Sequence, residues 1–150
     1  MSRRKARIIA FQALYSWDVS KSSLEDLLTF TWLQKDSALS KENEEEVLSD
    51  NEKEERTFAS LIIAGTIEHI SEVDKLIESH LSDSWSMDRI NKVTLAILRT
   101  SVYEMKFQAD AKPFVVIDEA VNIAKDYGTD DSFKFINAVL DKIGRDESKK

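Results

Sequence analysis

Apolar residues recur along most of this chain at spacings of three and four, the period of one face of an α-helix. In RRKARIIAFQALYSWD the stripe is Ala6, Ile9, Ala10, Ala13, Leu14 and Trp17, which predicts a first helix over about Arg3 to Trp17. Ser22 with Glu25 three positions on has the form of a capping box. Leu24, Leu27, Leu28 and Trp32 then give a shorter second helix ending near Gln34. A third helix runs from about Asn51 to Ile70 on Phe58, Leu61, Ile62, Gly65 and Thr66 or His69. Gly65 costs about 1 kcal/mol against Ala inside a helix, so a close helix crossing is expected there. Ser71 opens a fourth helix on Val73, Leu76, Ile77 and Leu81, and Trp85 follows in a polar turn.

The segment from Ile90 to Phe107 is apolar on more than one side, the pattern of a helix in the middle of a bundle. Pro113 suits the first turn of the next helix, whose apolar positions are Val115, Val116, Ala120, Ile123 and Ala124, with Gly128 at its C-terminal end. Asp130 or Asp131 is placed to cap a last helix carrying Ile136, Val139, Leu140 and Ile143, closed by Gly144. Between the second and third helices Asp36 to Glu55 breaks the pattern: eight carboxylates crowd between Glu42 and Glu55. That composition reads as a mobile acidic linker, about residues 36–52, long for a connection inside a compact bundle.

The expectation is an all-α protein of about seven helices. The 150 residues suit one domain, with an N-terminal sub-bundle over about 3–70, a C-terminal sub-bundle over about 71–144 and a polar tail at 145–150. Three glycines and one proline are too few for the turns of an all-β chain. The absence of cysteine excludes disulfides and thiolate metal sites. Neither a membrane-spanning run nor a signal peptide is visible, so a cytoplasmic protein is expected.

Charge changes the picture at one end. The net charge is −7, yet the first seven residues hold Arg3, Arg4, Lys5 and Arg7 and no acid. Cations at a helix N-terminus oppose the macrodipole, so the cluster is mildly unfavourable unless an anion sits there. Four phosphate contacts on a single strand would give a salt slope of roughly −3. The alternative is an ordinary solvated terminus. Tyr15 lies beside the helix-one stripe, and Lys134 and Phe135 stand at the start of the last helix. A cation, an aromatic face and helix-terminal N–H groups are the parts that hold a splayed base. The alternative for Phe135 is core packing.

No catalytic constellation emerges. His69 and His80 fall on different predicted helices with no metal or nucleophile pattern and read as surface or structural groups. Asp118 and Glu119 are adjacent and diverge by about 100° on a helix. Arg99 and Glu104, on or beside the central apolar helix, need partners, for which Asp118 and Glu119 are candidates. Glycine-rich phosphate loops and dinucleotide fingerprints are absent.

Three blocks, RRKARIIAFQALYSWD, NKVTLAILRTSVYEMKF and PFVVIDEAVNIAKDYGTDDSFKFINAVLDKI, resemble in content and order the signature blocks of the NusB family of bacterial transcription antitermination factors. The resemblance implies two small helical bundles, N-terminal and C-terminal, packed at a steep angle, with no cofactor and no catalysis. It implies binding to single-stranded boxA RNA of ribosomal RNA transcripts, and a heterodimer with the ribosomal protein that acts as NusE. It further implies action on RNA polymerase with other Nus factors, and in some members a homodimer. Carried over by position, Arg3, Arg4, Lys5 and Arg7 would hold phosphates. Gln12, Tyr15, Asp131, Lys134 and Phe135 would lie at the RNA, and the NusE-facing surface near Asn91 and Thr94. Asp118, Asn122 and Ala138 depart from the usual pattern, and the acidic linker is longer than the family suggests. The alternatives are a non-catalytic interaction scaffold, or a module like the N-terminal domain of ribosomal RNA cytosine methyltransferases, for whose cofactor-binding half the chain has no room.

Overall fold

The computed structural model describes residues 1–33 and 48–149. Among them are seven α-helices and no strand: α1 (Arg3–Val19), α2 (Leu24–Leu27), α3 (Asp50–Glu68), α4 (Ile70–Ser79), α5 (Lys92–Phe107), α6 (Pro113–Tyr127) and α7 (Ser132–Ser148). A single 3-10 turn at Met87–Arg89 precedes α5. No helix among the described residues is long and apolar enough to cross a membrane.

Helix α5 is the axis. Every residue from Thr94 to Glu104 is buried, which requires neighbours on all sides, and α1, α3, α4, α6 and α7 all pack on it. Arg7 meets Glu104 while Asp18 meets Lys92, so α1 runs antiparallel to α5. Arg4 meets Glu119 and Phe11 meets Tyr127, so α6 runs alongside α1 in the same direction. Helices α6 and α7 form an antiparallel pair, with Lys125 over the Phe133 ring near the turn and Ile117 beside Gly144 farther along. The α1–α3 group and the α4, α6, α7 group therefore share α5 as a common core helix.

Several helix boundaries differ from the sequence expectations. The cap of α2 is Ser23, whose hydroxyl accepts the Asp26 N–H, not Ser22. This helix stops at Leu27 because Phe30, at φ 58°, turns its ring into the core, and the Trp32 indole N–H closes on the Leu27 carbonyl at 2.9 Å. Of the expected acidic linker, residues 36–47 lie outside the described residues. Its end is helical: Ser49 and Glu52 form a full capping box, and α3 begins at Asp50. Glu55, read as part of that acidic run, is buried and accepts the Ser2 N–H at 3.0 Å. It places the missing negative charge at the positive end of α1.

On α3 the buried stripe is Glu55, Ala59, Ile62 and Thr66 with Ile63, and Leu61 is 49% exposed rather than inward. The break between α3 and α4 falls at His69, which stacks on Phe107 at 4.0 Å. Val115 faces outward. Gly128 ends α6 in extended backbone, not the left-handed form. Its lack of a side chain serves space: a Cβ would lie 2.2 Å from Ser132 Oγ and 2.8 Å from the Ala124 carbonyl. Asp131 stands at the N-cap of α7 without a side-chain cap bond. Gly144 does not close α7, which continues to Ser148. Lys106 to Glu147 and His80 to Asp146 tie its last turns down, so the expected polar tail is helical through Ser148.

The expected close crossing at Gly65 is present. A Cβ there would fall 2.1 Å from Tyr103 Cζ. The ring cannot yield easily, since its hydroxyl accepts from Gln108 at 3.0 Å and it stacks against Phe107. Gly65→Ala is expected to lose roughly 1–3 kcal/mol of stability by overpacking, despite Ala's better helix propensity. Urea denaturation that shows no loss would mean the ring moves aside freely.

Candidate nucleic-acid interface

Half of the basic cluster at the start of α1 is neutralised by carboxylates of the fold. Arg7 forms a two-pronged pair with Glu104 at 2.8 and 3.0 Å, and the side chains are only 13% and 3% exposed. Arg4 forks onto Glu119 at 2.9 and 3.1 Å at the surface. Arg3 lies over the Phe58 ring at 4.8 Å, with Arg7 on the same ring at 5.8 Å. Among the described residues, Arg3 and Lys5 make no ion pair. Four cations in the sequence thus become two with carboxylate partners and two whose charge faces solvent.

The Arg4 guanidinium, hydrogen-bonded to Glu119, holds that carboxyl below the usual glutamate range. A depressed folded pKa stabilises the fold above the unfolded value, about 4.3, and that contribution is lost as pH falls through the lower folded value. Glu119→Gln is therefore expected to flatten the acid limb of the stability profile below about pH 4.3 without changing its shape near neutrality. An identical acid limb in the variant, followed by urea midpoints, would dismiss the clasp as a titrating pair.

Farther along α1, Gln12 and Tyr15 line a groove of about 480 Å³ with Phe11, Trp32, Val93 and Tyr127. Tyr127 comes from the end of α6 and meets Phe11 edge-on, with ring centroids 5.4 Å apart. A second depression, about 290 Å³, contains Asp131 and Phe135 together with Asn91 and Thr94. Val93 lines the first, and Asn91 and Thr94, at the same end of α5, line the second.

The sequence-expected residues thus fall at several places: Arg4, Lys5, Gln12 and Tyr15 share one side of α1, whereas Arg3 projects about 180° from Gln12 and lies over Phe58. Arg4 and Tyr15 are about 16 Å apart along α1, and Phe135 lies beyond Tyr15, at the opposite end of α5 from Glu104. Phe135 is half-buried and Lys134 is exposed, 3.7 Å from Asp131. Phe135 packs against the core and also lines the second depression. Asn91 and Thr94, expected at a separate partner surface, share the depression with Asp131 and Phe135. The Asn91 side chain caps α5 by accepting from Val93 N and Thr94 N, and Thr94 is buried.

Sequence reasoning missed Phe11, Trp32 and Tyr127 in the groove, Phe58 beneath Arg3, and Glu119 and Glu104 as partners of the arm. Phe11 had a signal: it is adjacent to the α1 stripe, on the side of Tyr15. Tyr127, at a helix end beside Gly128, carried none. The expected pairing of Arg99 and Glu104 with Asp118 or Glu119 is not found. Arg99 binds Asp74 and Asp18, and Glu104 binds Arg7. His69 and His80 are structural, the latter bridging Asp146 and the Leu76 carbonyl. Among the described residues there is no cluster of potential ligands for a metal ion.

The NusB family model matches residues 4–145. The chain is 49% identical over 143 residues to the transcription antitermination protein NusB of Treponema denticola, covering 95% of this chain and 96% of that protein. Among solved structures, T. maritima NusB superposes with a TM-score of 0.78 at 33% identity, covering 97% of this chain and 92% of the other. A structure of the antitermination factors NusB and NusE in complex with double-stranded RNA matches with a TM-score of 0.73 at 26% identity, covering 96% of each chain.

Proposed function

The chain belongs to the NusB family of non-catalytic transcription antitermination factors, and on that premise we propose that it binds boxA-type single-stranded RNA in ribosomal RNA transcripts as a heterodimer with NusE. The bound pair acts with RNA polymerase and other Nus factors to carry transcription past terminators. The observation that carries this reading is the side of α1 shared by Arg4, Lys5, Gln12 and Tyr15, which sets cations in its first turn ahead of the aromatic groove, with Asp131 and Phe135 in a second depression beside the first turn of α5. Such an arrangement separates phosphate contacts, which position a strand, from base contacts, which specify it.

Roles follow from the environment of each side chain. Arg3 and Lys5 contact phosphate. Arg4 does so by exchanging Glu119 for a phosphate oxygen. Arg7 holds α1 to α5 and sets the pitch of the arm. Gln12 and Tyr15 face bases in the groove, and Asp131, Lys134 and Phe135 receive a base at the far corner. NusE docks on the exposed flank at Asn91, beside the depression that receives the base.

The test is RNA affinity across a salt series, with boxA-type and scrambled strands, with and without NusE. A preference for boxA is expected, strengthened by NusE. The arm itself should contribute a salt slope of about −2 rather than −3, about −0.7 for each of the three phosphate contacts of Arg3, Arg4 and Lys5. Arg3→Ala and Lys5→Ala should each remove about 0.7 of it. Equal affinity for the scrambled strand would overturn the reading.

A further inference from the structure

Resting on that RNA-binding reading, we propose that Trp85, on the link between α4 and α5, is a second base-stacking residue, forming one corner with Phe135. Trp85 is 46% exposed, unusual for the largest apolar side chain in a well-packed chain. It is not adrift. Its ring centroid lies 5.4 Å from that of Phe135 at an interplanar angle of 35°. Its backbone N–H is bonded to the Ser82 carbonyl, and Arg89 reaches back to the Ser84 carbonyl across the same turn. The link is therefore built to present the indole.

The tilt matters. Centroids 5.4 Å apart leave no room for a base between the rings, which instead form two adjacent walls of the 290 Å³ depression beside Asn91, Thr94 and Asp131. That volume is near the lower bound of small-molecule pockets, about 300 Å³, and suits one base rather than a stacked pair. Its edges supply recognition chemistry. The Asp131 carboxylate only accepts hydrogen bonds, so it favours a base edge carrying N–H groups. The Trp85 indole N–H, which has no hydrogen-bond partner among the described residues, donates to a base carbonyl or a phosphate oxygen. One aromatic would hold a base by a single face. Two at an angle also fix its in-plane orientation, which a lone Phe135 cannot do.

The experiment uses the full chain and a boxA-type single strand. Trp85→Leu should weaken binding about 5- to 150-fold, the effect of losing one base stack. Its salt slope should stay at the wild-type value, because stacking releases no counterions. Trp85→Phe should restore most of the affinity. RNA should quench the wild-type tryptophan fluorescence, and most of that quenching should be absent in Trp85→Phe. If wild-type protein prefers boxA and Phe135→Leu weakens it while Trp85→Leu does not, this proposal falls and the RNA reading stands. If wild-type protein shows no preference, the RNA reading itself falls. Should Trp85→Leu fail to fold, the fluorescence comparison still decides: quenching unchanged in Trp85→Phe places the base elsewhere.

Discussion

Arg7→Ala is expected to cost about 3–5 kcal/mol of folding stability, far more than any other substitution in the basic arm. Its guanidinium forks onto Glu104, whose side chain is 3% exposed in the middle of the molecule. Removing the cation leaves a carboxylate that water cannot reach. Replacing both partners by apolar residues of similar size, Arg7→Met with Glu104→Leu, removes the stranded charge and should recover most of the loss. Arg3→Ala and Lys5→Ala, whose heads face solvent, should leave stability within about 0.5 kcal/mol of wild type. Urea unfolding of the four variants beside wild type tests this. A loss below about 1 kcal/mol for Arg7→Ala, the level of an exposed pair, would mean that water reaches Glu104 after all. The consequence for function is a sorting rule: any loss of RNA binding in Arg7→Ala is to be compared with its unfolding before it is ascribed to a missing phosphate contact.

The same residue shows where the sequence stops being legible. Helical period located α1, α4 and α5 to within a few residues, and with Pro113 and Gly128 as end signals also α6, because each carries an apolar stripe that must be buried whatever its neighbours are. The burial of α5 was readable for the same reason, and Gly65 announced a close crossing. Partners were not readable. A cation on a helix looks alike in the sequence whether it meets phosphate, as proposed for Lys5, or a buried carboxylate, as Arg7 does. Acidic residues near Asp50 looked like a solvated run because composition outweighs position in such a stretch. Yet Ser49 and Glu52 cap α3, and Glu55 closes on the N-terminus of α1. Of the candidate site, the residues proposed at its two ends come from the resemblance to the family blocks. The groove between them was not, since Trp32, Val93 and Tyr127 come from three separate elements and meet only through the fold.

Arg99 is the second place where one substitution should cost about 3–5 kcal/mol. Arg99 and Glu104 are five residues apart on α5, so they project about 140° from one another and must face different neighbours. Glu104 faces the start of α1. Arg99 faces its end and α4: Nε and Nη2 each bind Asp74 at 2.9 Å, Nη1 stands 3.4 Å from Asp18 Oδ2, and the guanidinium lies 5.7 Å from the Trp17 ring centroid. The two contacts are unequal. The Asp74 fork is short and aligned, whereas Asp18 Oδ2 and Arg99 Nη1 are both buried without a well-formed hydrogen bond. Asp18 also has Lys92 at 3.3 Å, so it keeps a counter-charge when Arg99 is lost, whereas Asp74 has no other cation partner among the described residues. A double-mutant cycle of Arg99→Ala with Asp74→Ala should therefore give a larger coupling energy than one with Asp18→Ala. Arg99→Lys should recover only part of the stability, because an ammonium cannot span both oxygens of Asp74 while keeping its place over Trp17. The reverse order of couplings would make α1, rather than α4, the element that Arg99 secures to the central helix.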